Sequence, residues 1–157
     1  ENGLSQNSVL SILQDREGFM WFGTKDGLNC FDGYSFKVYR RQSGVETSLG
    51  NNFVFSLRED SHGRFWVGTG RGVWLFDKER ETFRKFLVEV SGRDILTAQI
   101  SAIMEDDAGD IWLATHGQGL FRIRTISRLR RFRPISSGPS FRTRWAAFGW
   151  EPSARES

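Results

Sequence analysis

The sequence of 157 residues is poor in cysteine and contains no long apolar segment. Its single cysteine, Cys30, can form neither an internal disulfide nor a cysteine-based metal site, so the redox compartment stays open. No run approaches the roughly 18 apolar residues of a membrane-spanning helix, and no signal peptide is recognisable. Helical periodicity of useful length is missing too, which favours short strands. We therefore predict an all-β chain without a membrane segment.

Sequence motifs of catalysis are also absent. There is no phosphate-cradling glycine loop, no nucleophile elbow and no paired Ser/His/Asp arrangement. Neither of the two histidines, His62 and His116, has recurring metal ligands beside it. The acidic run from Glu105 to Asp110 lacks the alternating ligands and distant glutamate of a calcium loop. We predict that the chain is not an enzyme and that it has no catalytic residue, no cofactor and no metal.

A ten-residue pattern, Asp-x-x-Gly-x-x-Trp-x-Gly-Thr, occurs three times, at residues 15–24, 60–69 and 106–115. In the third copy Ala114 replaces the second glycine. The tryptophans recur every 45 or 46 residues, and a fixed period in this range indicates an array of equivalent structural units. The positions that define the repeat are Asp15, Gly18, Trp21, Gly23, Asp60, Gly63, Trp66, Gly68, Asp106, Gly109 and Trp112.

Each position of the pattern has a physical role. The Asp-x-x-Gly segment is typical of a tight hairpin turn, in which Asp bonds the turn backbone and Gly adopts a left-handed conformation. The tryptophan removes about 150–250 Å² from water when covered, which its own four strands cannot achieve. The glycine two residues later lies on the same strand face, where a missing side chain lets a neighbouring sheet approach. Units of this kind, stacked side by side, are blades of a β-propeller.

The segment Gly3 to Asp15, followed by Gly18, Trp21 to Thr24 and Gly27-Leu28, resembles the two-component regulator propeller repeat. The resemblance covers about residues 1–123. It implies an all-β, incomplete β-propeller of about three four-stranded blades. We divide the chain into blade repeats at 1–44 and 45–92, a partial third repeat at 93–123, and a tail at 124–157. The chain is expected to be a fragment of the first blades.

The resemblance also implies a function. Proteins with this repeat are typically multidomain bacterial sensors, with propellers outside the inner membrane and a histidine kinase or a diguanylate cyclase inside. The chain resembles the N-terminal, periplasmic sensor propeller of a hybrid two-component histidine kinase, and many such hybrids sense oligosaccharides. We therefore expect an oligosaccharide ligand, and further propeller blades and kinase domains of the parent protein as partners. The alternative is a protein-binding scaffold propeller without a small-molecule ligand. The loop after each Trp-x-Gly-Thr strand is the most variable part of the repeat, so its side chains are the ligand-binding candidates: Lys25, Asp26, Arg71, His116 and Gln118.

The C-terminal tail differs from the repeats in charge. Residues 1–121 carry a net charge of −4, whereas residues 122–157 contain nine Arg, no Lys and two Glu, a net charge of +7. One interpretation is a nucleic-acid-binding arm, which we disfavour; a second is a disordered extension. We prefer a third, a repeat translated in a shifted frame, because the displaced codons restore two glycines where the pattern requires them. We predict no nucleic-acid partner.

Overall fold

The computed structural model describes residues 3–90, 93–94 and 96–124, and within these ranges every regular element is a strand. The prediction for the tail at 124–157 lies outside the described residues, apart from Arg124. Blade 1 contains β1 (Val9–Gln14), β2 (Met20–Thr24), β3 (Gly27–Phe31) and β4 (Phe36–Tyr39). Blade 2 contains β5 (Val54–Glu59), β6 (Phe65–Thr69), β7 (Gly72–Asp77) and β8 (Thr82–Phe86). A short ribbon, β9 (Glu89–Val90) and β10 (Arg93–Asp94), precedes blade 3, which contains β11 (Ile100–Glu105), β12 (Ile111–Thr115) and β13 (Leu120–Ile123).

Each blade is an antiparallel meander in which consecutive strands are hydrogen-bonded neighbours. The register of the first strand pair shifts once in every blade, between Val9 and Ser11, Val54 and Ser56, and Ile100 and Ala102. The same irregularity at equivalent positions shows that the three units repeat in backbone geometry as well as in sequence. The predicted all-β, incomplete propeller is confirmed.

The hairpin corners are organised by the aspartate of the repeat. In blade 1, Asp15 Oδ1 accepts hydrogen bonds from the backbone N–H groups of Glu17 and Phe19, both at 3.0 Å. Gly18 closes the turn with a φ of 95°, in the left-handed region that favours glycine. The second oxygen, Asp15 Oδ2, accepts from the indole Nε1 of Trp21 at 2.8 Å. One buried carboxylate therefore satisfies both the turn and the indole.

The indoles of the first two repeats are each covered by the blade that follows. Trp21 is 3% exposed, and its ring centroid lies 4.9 Å from that of Phe65 and 5.5 Å from that of Phe76, both on blade 2. Trp66 is 1% exposed and shares a buried cluster with Ile100 and other residues of blade 3. The core of the protein thus lies between the blades.

The glycines of the pattern allow this close stacking. A Cβ atom at Gly23 would lie 2.7 Å from Val54 Cγ1 of blade 2, and one at Gly68 would lie 2.8 Å from Ile100 Cγ2 of blade 3. At the second junction Ser56 Oγ also donates to the Ile100 carbonyl at 3.0 Å. A β-branched residue on the first strand of the next blade, Val54 or Ile100, therefore occupies the space that the glycine leaves empty.

The outer side of blade 3 has no covering blade among the described residues. Met104 is 54% exposed and Leu120 is 53% exposed, although both are large and apolar. With Trp112 and two alanines they line an apolar hollow of about 240 Å³: Ala102, Met104, Trp112, Ala114 and Leu120. This surface corresponds to those that blades 1 and 2 bury.

Polar contacts fix each junction at the end of the blades that carries the hairpin corners. The backbone N–H of Arg16 donates to Glu59 Oε2 of blade 2 at 2.8 Å, and that of Ser61 donates to Glu105 Oε2 of blade 3 at 2.8 Å. Lys78 of blade 2 lies 3.1 Å from the buried carboxylate of Asp15. Each blade therefore supplies charged groups to the corner of the blade before it.

We predict that Gly68→Ala destabilises the protein by about 1–3 kcal/mol, the usual cost of overpacking a close-packed interior. The added methyl group would meet Ser56 and Ile100 and separate blades 2 and 3. Urea unfolding measures the free energy change. Gly3→Ala is the matched control, because a Cβ at Gly3 has no neighbour within 4 Å. Equal stability of the two variants would contradict the proposed interlock.

We predict that stability falls in acid as Asp15 is protonated. Burial opposes ionisation of Asp15, but hydrogen bonds from the Trp21 indole, Lys78 and the Phe19 N–H hold its pKa below the usual 3.8. A depressed folded-state pKa contributes stability above the unfolded-state pKa of about 3.9, and this stability is lost as the pH falls through the folded-state value.

Lys78→Met tests this pH dependence, because removing the cation raises the pKa of Asp15. Its acid-induced loss of stability should be smaller than in the wild type and should be complete at a higher pH, as followed by the urea midpoint across a pH series. Lys25→Met, which removes an exposed lysine that forms no ion pair with a described residue, should show the same acid-induced loss as the wild type. An identical acid-induced loss of stability in Lys78→Met and the wild type would show that Lys78 does not control the protonation of Asp15.

Candidate functional site

The blades present their variable loops at the end opposite the hairpin corners. We call the segment that leads into the first strand of a blade its approach. The tip between β2 and β3 is joined to the approach of the next blade, where the Gly27 N–H donates to the Asn52 carbonyl at 2.7 Å. The tip between β6 and β7 is joined to its own approach, where the Gly70 N–H donates to the Phe53 carbonyl at 3.0 Å. The tips and approaches therefore form one surface, the loop face, which consists of residues 5–8, 25–26, 50–53, 70–71, 97–99 and 116–118.

Two of the five predicted ligand-binding residues are engaged in holding the loop face together. Asp26 Oδ2 accepts from Arg40 Nε at 3.0 Å, and its other oxygen lies 3.4 Å from Asn52 Nδ2. Gln118 Oε1 accepts from the backbone N–H groups of Thr97 at 3.1 Å and Ala98 at 2.9 Å. These contacts give both side chains a structural role.

The other three predicted residues are basic and exposed. Lys25, Arg71 and His116 stand one to each loop tip, and none of them forms an ion pair with a described residue. The backbone of each tip is nevertheless fixed: the Arg71 N–H donates to Thr69 Oγ1 at 3.1 Å, and the His116 N–H donates to the Gln99 carbonyl at 2.9 Å. The loop face thus presents three basic side chains from an ordered backbone.

Sequence analysis missed an aromatic pair on the loop face. Phe53 is 46% exposed, and its ring stacks on that of Phe55 with a centroid separation of 6.3 Å and an interplanar angle of 18°. The positions equivalent to this pair are Ser8 and Leu10 in blade 1 and Gln99 and Ser101 in blade 3. The pair is therefore specific to blade 2, and a search for recurring residues passes over it.

Gly70 keeps the aromatic pair open. A Cβ atom at this position would lie 3.6 Å from Phe53 Cβ and 3.6 Å from Phe55 Cε2, so a longer side chain here would lie against the rings. Blades 1 and 3 carry Lys25 and His116 at the equivalent position. The signal in the sequence was the coincidence of Phe53 and Phe55, two residues apart, with a glycine at the loop tip.

The remaining reactive groups of the described residues serve the fold. Burial, followed by the nearby Asp15 and Asp32 carboxylates, raises the pKa of the Cys30 thiol to about 11, which disfavours the thiolate. Glu105 of the acidic run caps the Ser61 backbone, and Asp106 accepts from the Trp112 indole at 2.7 Å. Within the described ranges, no three His, Cys, Asp or Glu side chains are placed to share a metal ion. No helix formed by these residues is long and apolar enough to cross a bilayer.

The family described as two component regulator propeller matches the chain three times, at residues 3–26, 48–71 and 94–117. Each match runs from the approach through the inner strand and the hairpin corner to the loop tip. In blade 1, for example, it includes the Ser5 approach, the Asp15 corner, Trp21 and the Lys25 tip. The matched stretches therefore contain both the interlocking positions and most of the loop face.

Solved structures share the arrangement of the blades. The extracellular domain of BT3049 of B. thetaiotaomicron, named as a hybrid two component system, matches with a TM-score of 0.69 and 30% identity over 78% of this chain and 18% of that one. The extracellular domain of BT4673 from the same organism, also named as a hybrid two component system, matches with a TM-score of 0.63 and 27% identity over 74% of this chain and 16% of that one.

A histidine kinase shows the same similarity at the level of sequence. Histidine kinase P4 of Formosa agariphila is 54% identical over 48 residues, which make up 31% of this chain and 4% of that protein. The chain spans less than a fifth of each of these relatives. The three matched stretches, together with the shared blade arrangement, confirm the resemblance expected from the recurring Asp, Trp and Gly positions: the chain carries repeats of the two-component regulator propeller family at residues 3–26, 48–71 and 94–117.

Proposed function

We propose that this chain is the ligand-sensing part of a two-component sensor, that it lies in the periplasm, and that it recognises an oligosaccharide on the loop face. The family match supports a regulatory propeller, and the related structures are extracellular domains of sensors. Signal output in this proposal belongs to kinase domains elsewhere in the parent protein, and the chain itself is not an enzyme. The blades act as a rigid frame that presents the loop face.

The observation that carries the oligosaccharide assignment is the Phe53–Phe55 pair, of which Phe53 is exposed and Phe55 partly buried. An aromatic ring offers a flat apolar face, and the C–H face of a pyranose ring is also flat and apolar. Small-molecule sites combine such aromatic surfaces with a few fixed polar groups. Here Asn51 accepts from the Phe53 N–H at 3.0 Å, which places an amide beside the rings, and Arg71 follows the glycine that leaves them open.

The aromatic pair also lies beside the junction of two blades. Val54, between the two phenylalanines, packs against the backbone of Gly23 in blade 1. The approach that precedes it accepts the Gly27 N–H through Asn52. A ligand on the rings would thus contact residues that adjoin the contacts between blades 1 and 2, which provides a physical route from binding to the relative position of the blades.

We expect Phe53→Ala to weaken oligosaccharide binding at least tenfold, because loss of about 1.4 kcal/mol at a central aromatic contact corresponds to a factor of ten in affinity. Glycan arrays followed by calorimetry on the full-length gene product measure this change. Tyr34→Ala is the control, since Tyr34 is 94% exposed and lies in the turn between β3 and β4 at the opposite end. Its affinity should equal that of the wild type.

Two outcomes would overturn the assignment. A full-length protein that binds no glycan on the array, yet captures a partner protein in a manner sensitive to Phe53→Ala, would be the protein-binding scaffold considered above. Equal weakening by Phe53→Ala and Tyr34→Ala would place the binding surface away from the loop face.

A further inference from the structure

We infer that the oligosaccharide is acidic, bearing carboxylate or sulfate groups, and that Arg71 pairs with its anion while a sugar ring stacks on Phe53 and Phe55. This inference rests on the proposed function and adds the chemical class of the ligand and a specificity-determining residue. It is carried by the position of Arg71 beside the rings and by the charge balance of the loop face.

Arg71 follows the glycine at the edge of the aromatic pair. The Cβ position of Gly70 lies 3.6 Å from Phe53 Cβ and 3.6 Å from Phe55 Cε2, and the Thr69 hydroxyl accepts the Arg71 N–H at 3.1 Å, which fixes the backbone of the tip. The Arg71 side chain is exposed and has no ion-pair partner among the described residues. A guanidinium that starts one residue from an aromatic surface can reach a charged substituent of a ring stacked there. Its planar fork matches the geometry of a carboxylate or sulfate.

The charge of the loop face is predominantly positive. Lys25 adds a cation from a neighbouring tip, and it has no acidic partner among the described residues. Asp26, the acidic residue of the tips, is paired with Arg40 at 3.0 Å. Surface charges of one sign attract oppositely charged ligands and raise their local concentration.

Other acidic groups near the approaches are neutralised or directed elsewhere. Asp94 pairs with Lys85 at 2.5 Å. Glu46 is next to Thr47, whose carbonyl accepts the N–H of Phe83 on the outer strand β8, so this part of the approach lies away from the inner strands. The unpaired charges at the tips therefore favour an anionic ligand.

Aromatic rings beside cations also suit single-stranded nucleic acid, in which bases stack and phosphates pair with basic residues. Two observations favour a saccharide. The related structures are extracellular domains of hybrid two component systems, and among the described residues of the loop face the aromatic surface is one pair in blade 2 instead of a row along a groove.

The test compares matched pairs of probes on the full-length gene product. An array carries tetragalacturonate beside its full methyl ester, and sulfated beside unsulfated galactotetraose, together with a single-stranded oligonucleotide. We expect binding of at least one acidic saccharide, at least tenfold stronger than that of its neutral counterpart and weakened by added salt. Arg71→Met should remove this preference, and Arg71→Lys should retain only part of it because the ammonium lacks the fork.

Arg80→Met is the control variant. It removes the same charge as Arg71→Met, but from the turn between β7 and β8, where Arg80 pairs locally with Asp77. It should keep the wild-type preference. Stronger binding of the neutral members would refute the acidic ligand, and a preference for acid that survives Arg71→Met would refute the pairing with Arg71. Either outcome would leave the proposed sensor intact. Binding of the oligonucleotide alone would refute both, as would a complete absence of saccharide binding.

Discussion

The fold depends on a buried indole whose N–H group is satisfied within its own repeat. An indole placed between two sheets loses its contact with water, and its N–H then needs an acceptor. Asp15, Asp60 and Asp106 supply that acceptor with one carboxylate oxygen and hold the hairpin corner with the other. Because turn and indole share the same carboxylate, the orientation of the tryptophan is fixed by contacts within its own repeat. The glycine beside it then sets how closely that blade can approach.

The recurring residues allowed much of this fold to be predicted from sequence. Asp15, Trp21 and Gly23 each have a local physical role, and their recurrence indicated which elements stack. The contact between Trp21 Nε1 and Asp15 was not predicted, because the spacing of the two residues does not show that the indole turns back toward the preceding corner. Lys78 was also missed, since it reaches Asp15 from 63 residues away along the chain and does so in only one of the described junctions.

The loop face was harder to predict because its residues differ between repeats. A variable tip indicates a surface free of packing constraints, which identified Lys25, Arg71 and His116 as exposed. The same rule grouped them with Asp26 and Gln118, whose partners, Arg40 and the Thr97 and Ala98 amides, lie in segments that the repeat pattern does not include. Phe53 was overlooked because it resembles the apolar residues that usually enter an inner strand. Its exposure depends on Gly70, which only the folded arrangement brings beside it.

The carboxylates of Glu59 and Glu105 give the stack a direction. Each accepts a backbone N–H from the corner of the preceding blade, so the acceptor Glu59 and the donor Ser61 flank Asp60 in one corner and face opposite neighbours. A duplicated unit of about 45 residues inserted in the gene would carry one acceptor for the blade before it and one donor for the blade after it. Such an array can grow by whole units without evolving a new kind of contact, while each added tip is free to diverge.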